Sequence, residues 1–173
     1  MRAWIGLGAN LGDPATAFAE ALRRLDALDA IDVRRVSSLY RSAPIDAPGP
    51  DYRNAAAELH ARCAPQPLLD ALLRIEAALG RTRAFANAPR PIDLDFLLAL
   101  DDDGRTLHID TASLRLPHPR LHERAFALAP LAELDPSLEV PGRGGVAALL
   151  RAHADQRIER ESAVPFVPRT TGR

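Results

Sequence analysis

Lysine is missing from this chain: all 22 of its basic residues are arginine. That excludes a lysine nucleophile, a Schiff-base lysine and the lysine of a Walker-type phosphate loop. Any recognition of phosphate falls to guanidinium groups, backbone N–H groups or a metal ion. Cysteine is nearly missing as well. With Cys63 alone there is no internal disulfide and no cysteine-built zinc site. Aromatic residues make up only 5%, and no RNP-like segment appears, which leaves little for a surface that stacks bases. No excess of charge of either sign exists: the net charge is −1 and the pI about 6.5. This argues against a nucleic-acid protein that works through bulk positive charge. Nor is there a long apolar run. The opening "MRAWIGLGANLGD" holds nothing long enough for a signal peptide or a membrane span. The expectation is a soluble, cytoplasmic protein with neither nucleic acid nor membrane as its partner.

What is present suits one compact domain: 173 residues, 47% hydrophobic and 26% charged. Residues 2–8 read as a strand, and "ANLG" turns the chain. Asp13 followed by Pro14 reads as an N-cap with proline at the first helical position. Phe18, Leu22, Leu25 and Leu28 recur at helical spacing, so a helix is expected from Pro14 to about Asp29. "IDVRRVSSLYRS" reads as one β-branched strand, "APIDAPGPD" as a proline-rich loop and "YRNAAAELHAR" as a third strand. Pro65 and Pro67 open a second helix with Leu68, Leu72, Ile75 and Leu79 on one face, ended by Gly80. "IDLDFLLAL" is a strand, "DDDG" turns it, and "RTLHI" is expected to return beside it. The order strand, helix, strand, strand, helix, strand predicts an α+β fold. It is the ferredoxin-like kind, an antiparallel sheet with its helices packed on one face, plus additional C-terminal strand and helix elements. Residues 1–163 are expected to form the single domain, and 164–173 a loosely held tail.

The stretch "PRPIDLDFLLAL" carries the chemistry. Residues two apart on a strand share a face, so Asp93 and Asp95 point the same way and Ile92, Leu94 and Phe96 the other. Like charges this close need a cation between them. Hard carboxylate oxygens select Mg²⁺ or Mn²⁺ over zinc. The plainer alternative is a solvated strand end whose aspartates pair with neighbouring arginines. Arg81, Arg83 and Arg90 lie in the loop that feeds the strand, and guanidinium forks suit phosphate oxygens. Carboxylates, magnesium and arginines together form a phosphoryl-transfer constellation.

Other segments add candidates. In "PHPRLHERAF", His118 and His122 are four apart, but Pro119 lies between them and no cysteine is near, so zinc is the weaker reading. His118 and Arg124 suit an anion, and Phe126 suits a flat ring or the core. In "PDYRNA", Tyr52 and Asn54 share a strand face. A tyrosine beside an amide can clamp and read a planar heterocycle, or simply mark a strand end and a turn. "GLGANLGD" spaces its glycines as neither a dinucleotide loop nor a Walker loop. "DDDGRTLHID" lacks the first and last ligands of a calcium loop and reads as a tight turn.

Taken together, these segments resemble the 6-hydroxymethyl-7,8-dihydropterin pyrophosphokinase family. "GLGANLGD" resembles its N-terminal G-S-N-L-G segment, with Ala9 where serine is usual. "SSLYRSAPI" and "PDYRNAAAEL" resemble its pterin-side strands and loop. "RIEAALGRTR" with "PRPIDLDFLL" resembles its signature, and "LPHPRLHERAFALAPLAELDP" its C-terminal substrate segment. The resemblance covers about residues 2–150 in the family's order.

The resemblance implies transfer of the β,γ-pyrophosphoryl group of ATP to the pterin's hydroxymethyl oxygen, with AMP released. It implies two Mg²⁺ ions on Asp93 and Asp95, with ATP as co-substrate. Arg81, Arg83, Arg90, Arg124 and His118 would face the triphosphate, and Leu73 and Glu76 would line the nucleotide site. Tyr52 and Phe126 would sandwich the pterin, Asn54 would bond its edge, and the Ser42, Pro44 and Ile45 loop would supply backbone. The chain would act as a monomer on these two small molecules. One departure stands out: before Pro89-Arg90 the chain has Ala86, Asn87 and Ala88, where the family often has another basic residue or a tryptophan and glycine. Rival readings are a metal-dependent phosphodiesterase, a ferredoxin-like RNA-binding module and a purely structural domain.

Overall fold

Along Arg2–Ala9 (β1), Ala3, Ile5, Leu7 and Ala9 are buried on one side, while Trp4, Gly6 and Gly8 alternate with them on the other. A strand needed by both faces belongs in the middle of a sheet. The computed structural model describes residues 1–44, 49–80 and 91–169. Ile45, Arg81, Arg83 and Arg90 therefore lie outside the described residues. The elements continue as Pro14–Asp26 (α1), Ile31–Val36 (β2), Ser38–Ser42 (β3), Tyr52–Ala61 (β4), Pro65–Ala78 (α2) and Asp93–Leu100 (β5). Then come Ile109–Asp110 (β6), Arg115–Leu116 (β7), a 3₁₀ turn at Leu121–Glu123 and Ala125–Leu134 (α3). Glu139–Val140 (β8), Gly144–Gly145 (β9), Val146–Ala152 (α4) and Ile158–Ala163 (β10) complete the described chain.

The main sheet has six strands in the order β10, β3, β4, β1, β5, with β2 also on β4. Each of these pairings is antiparallel. The single strand expected over residues 31–42 is broken at Ser37, whose backbone N–H bonds to Ala56 at 2.9 Å while its hydroxyl oxygen accepts the Ala56 N–H at 2.9 Å. That side-chain bond stands in for a ladder bond. It inserts one extra residue between the pairs Val36–Ala57 and Tyr40–Asn54.

Helices α1 and α2 pack Phe18, Leu22, Leu25, Leu68 and Leu72 against Ile5, Leu7, Leu59, Leu94 and Phe96. At the start of α1, Asp13 caps the helix by accepting the N–H groups of Ala15 and Thr16. The expectation that all helices share one face is corrected by a second core. There Trp4, Ala56, Leu97 and Leu98 are covered by Leu128, Leu131 and Leu134 of α3 and Val146 of α4. The sequence of α3, "AFALAPLAEL", is apolar around its whole circumference and is satisfied only by burial on more than one side. On β1 and β4 this second core holds Trp4 and Ala56.

Two further expectations change. The stretch "RTLHI" does not return along β5 as a full strand. Only Thr106 bridges Leu100, and Ile109–Asp110 pairs with β7. Helix α1 ends at Asp26 rather than near Asp29, because the buried Asp26 carboxylate turns to other work. One oxygen accepts the Val33 N–H at 2.9 Å, and the other accepts the Arg169 N–H at 2.8 Å. Val164, in the segment expected to be loosely held, is 6% exposed and belongs to the first core.

Asp26→Ala leaves the Val33 N–H without its side-chain acceptor and is expected to cost about 1–3 kcal/mol, the scale for an orphaned buried donor. Urea denaturation measures the loss. Limited proteolysis should show faster cleavage after Arg169 in the variant, and an unchanged rate would mean that Asp26 does not hold the C-terminal segment.

Candidate active site

Strand β5 runs beside β1 so that Asp93 sits opposite Gly8 and Asp95 opposite Gly6. Both aspartates are half-buried and face the same side, away from Leu94 and Phe96. On the other flank of β1, Gly8 pairs with Asn54 and Asn54 with Tyr40. One row across the sheet therefore reads Tyr40, Asn54, Gly8, Asp93. The alternation that buries Leu7, Ala55 and Leu94 on the helix side fixes these residues on the opposite side.

The segment between β7 and α3 lies over the β5 end of this row. Its Leu116–Pro117 peptide is cis. The His118 N–H bonds to the Leu97 carbonyl at 2.8 Å, which ties the segment to β5. The Nδ1 of His118 accepts the Arg120 N–H at 3.2 Å. A neutral imidazole has one donor and one acceptor nitrogen, so Nε2–H is the donor left for a ligand. Burial pushes the His118 pKa down to about 4, and the charges of Arg124 and Arg120 push the same way against Asp93. The imidazole is thus neutral near pH 7.

Arg124 stands at the junction of the 3₁₀ turn and α3, in extended conformation. Its Nη1 lies 4.0 Å from Asp95 Oδ2, and its guanidinium carbon 5.6 Å from the Phe126 ring centre. Burial lowers its pKa, and Asp95 and Asp93 oppose that shift. The result is a partly desolvated cation beside two acids, with an aromatic face next to it.

At the other end of the row the amide of Asn54 is 5% exposed. Its Nδ2 donates to Ser42 Oγ at 2.9 Å and to the Tyr40 carbonyl at 3.3 Å. Its carbonyl oxygen faces Gly8, so Asn54 presents an acceptor. Tyr52 is paired with Ser42 and lies on the Asn54 side of β4. Pro44 follows, half-buried.

The structure thus brings Asp93, Asp95, His118, Arg124 and Phe126 together, with Ser42 and Asn54 sharing a hydrogen bond at the far end of the row. Leu73 is 39% exposed on α2. Glu76 is 2% exposed, and its Oε1 accepts the Leu94 N–H on β5 at 2.6 Å. Helical spacing carried the signal for that burial, since Glu76 falls four residues after Leu72 on the apolar face. His122 turns to Glu123 at 3.4 Å rather than joining His118. Among the described residues no three His, Cys, Asp or Glu side chains group as a metal cage.

The sequence reading missed Glu133, which joins α3 to β3. Its carboxylate accepts from the Ser38 N–H, the Ser38 hydroxyl, the Tyr40 phenol at 2.8 Å and Arg160 at 2.9 Å. Burial and this carboxylate push the Tyr40 pKa up to about 12. Nothing in "LAELDP" marks that glutamate as a partner of a strand far away in sequence.

Residues 4–136 match the family model described as 7,8-dihydro-6-hydroxymethylpterin-pyrophosphokinase (HPPK). The chain is 39% identical over 160 residues to a 2-amino-4-hydroxy-6-hydroxymethyldihydropteridine pyrophosphokinase of Pseudomonas aeruginosa, covering 92% of this chain and 96% of that one. It is 39% identical over 138 residues to the enzyme of the same name in Bacillus subtilis, covering 79% of this chain and 80% of that one. A crystal structure of an HPPK-DHPS in complex with substrates superposes with a TM-score of 0.67 at 11% identity. That match covers 89% of this chain but only 43% of the larger one, and it shows a shared fold. Among the described residues, no helix is long and apolar enough to cross a membrane.

The lowered His118 pKa has a signed consequence for stability. Below its unfolded pKa of about 6.5 the unfolded chain takes up a proton that the folded chain refuses until about pH 4. The folded state therefore loses stability as pH falls through that window. Urea midpoints at pH 7.5 and 5 should differ more for the wild type than for His118→Gln. Equal pH dependence would show that His118 titrates normally.

Proposed function

The chain belongs to the 7,8-dihydro-6-hydroxymethylpterin-pyrophosphokinase family, and on that premise we propose that it moves pyrophosphate from ATP to 6-hydroxymethyl-7,8-dihydropterin in folate biosynthesis. The hydroxymethyl oxygen attacks the β-phosphorus and gives up its proton. The bond from that phosphorus to the oxygen bridging the α-phosphate breaks, and AMP leaves with the bridging oxygen. The observation that carries this reading is the pair Asp93 and Asp95 on one face of β5, with Arg124 4.0 Å from Asp95 and a neutral His118 beside them.

The donor chemistry fits magnesium. Mg²⁺ is held by one or two carboxylates and completes its shell with water and substrate phosphates, so two aspartates suffice without a full protein cage. In this reading Asp93 and Asp95 hold two such ions, which when bound screen the triphosphate and polarise the phosphoryl group. Arg124 and the His118 Nε2–H meet phosphate oxygens, and Arg81, Arg83 and Arg90 neutralise the rest of the triphosphate. A neutral histidine donates without competing with the metal's charge. Leu73 lines the nucleotide site. Glu76 serves it indirectly, by holding the β5 backbone at Leu94. Asn54 offers its carbonyl to the pterin's N–H edge, beside backbone of Ser42, Pro44 and Ile45. Tyr52 and Phe126 close on the two faces of the ring.

The order β5, β1, β4, β2 with α1 and α2 as crossovers supports a ferredoxin-like reading of the sheet. Pairing of β10 with β3 in that same sheet supports one domain through residue 163.

The test offers ATP, Mg²⁺ and the reduced hydroxymethylpterin and identifies the released nucleotide. AMP is expected; ADP would make the chain an ordinary kinase, and hydrolysis without the pterin a phosphodiesterase. Asp95→Asn should reduce turnover by about a hundredfold or more, the scale for losing a preorganised electrostatic partner. Substantial retained activity would remove Asp95 as a ligand. Arg90→Ala should lower kcat with little change in pterin affinity, and an unchanged kcat would take Arg90 out of the transfer step.

A further inference from the structure

Among the described residues, nothing in the fold requires Gly8 to be glycine. It is not among the residues of positive φ, so its backbone is open to any side chain. Among the described residues, a Cβ added there would meet only Asn54 Oδ1 at 3.7 Å and the Asp93 Cβ at 3.8 Å, both ordinary contact distances. Its neighbour on the same face is different. A Cβ on Gly6 would press on Leu97 Cδ1 at 3.3 Å, so packing accounts for that glycine. Glycine inside a strand weakens it, and where neither backbone nor packing explains it, the bare Cα marks close approach by a ligand.

The register says which ligand atoms come close. Gly8 lies between Asn54 on β4 and Asp93 on β5. With strands about 4.8 Å apart, these two side chains straddle a span of roughly 10 Å with Gly8 as its floor. In the pyrophosphokinase reading, the ring is held at Asn54 and the phosphates at Asp93. The atoms that must cross between them are the exocyclic carbon and its hydroxyl oxygen.

We propose that Gly8 is a specificity-determining position of the transfer site: its bare Cα is the surface on which the substrate's CH₂–OH arm lies, between the ring at Asn54 and the phosphates at Asp93. This rests on the functional reading given above and adds where on the sheet the new bond forms, above β1. A methyl group at this position would lift the arm and move the attacking oxygen off line. A misplacement of about 1 Å costs on the order of a hundredfold in rate.

Gly8→Ala and Gly8→Val are measured against wild type by thermal melting, by AMP release with varied pterin and varied ATP, and by equilibrium binding of ATP. Gly8→Ala is expected to melt at or above the wild-type temperature, since alanine restricts the unfolded chain. Its kcat/KM for the pterin should fall about a hundredfold, with ATP affinity nearly unchanged. Gly8→Val should be inactive. A Gly8→Ala protein as active as wild type overturns the inference. So does one that melts distinctly lower, because packing would then explain the glycine, or one that loses ATP affinity in proportion. Wild-type protein that releases no AMP refutes the functional reading itself, and the inference with it; an active wild type with an indifferent variant refutes the inference alone.

Discussion

The site depends on one constraint, the antiparallel pairing of β1 with β4 on one side and β5 on the other. That pairing sets Asn54, Gly8 and Asp93 in one row and keeps Asp95 on the same face one pleat further along. A slip of one residue would turn Asp93 and Asp95 into the helix-covered core and bring Leu94 and Phe96 out. Such a slip is opposed by every buried side chain of the first core, so hydrophobic burial holds the polar geometry in register. The irregularity in the β1–β5 pairing lies between Trp4 and Ile5, away from Asp93. There it lets both Leu97 and Leu98 join the second core without disturbing the site end.

The second core gives the site its electrostatic character. By covering half of the aspartate face, α3 and the turn before it bring His118 and Arg124 over the acids in a partly dry setting. Dryness lowers the pKa of both cationic side chains, with different outcomes. It strips the proton from His118, whose pKa falls to about 4, but cannot do so for an arginine whose charge Asp95 and Asp93 support. The face therefore sets two carboxylates, a fixed positive charge and a neutral donor side by side. An open aspartate face of the kind first expected would leave all of these groups in water, where their interactions are far weaker.

Much of the fold was legible because its elements are locally consistent. The cap at Asp13, the apolar spacing of α1 and α2 and the glycine at 80 all point the same way. The misreadings came where a distant partner decides. Ser37 breaks an apparently continuous strand by bonding Ala56. Asp26 shortens α1 because Val33 and Arg169 lie within its reach. Glu76 anchors the Leu94 N–H, a contact that its own segment does not announce.

The sequence alone established which residue types could do chemistry, that Asp93 and Asp95 share a face, and that no lysine is available for a phosphate. These follow from strand periodicity and composition, which are local. Only the tertiary structure decided that helices cover both faces, that Asn54 shows its carbonyl because Ser42 takes its N–H, and that Gly8 lies bare between Asn54 and Asp93. Each of those depends on which strands become neighbours, and strand pairing is settled by burial across the whole chain rather than by any one segment.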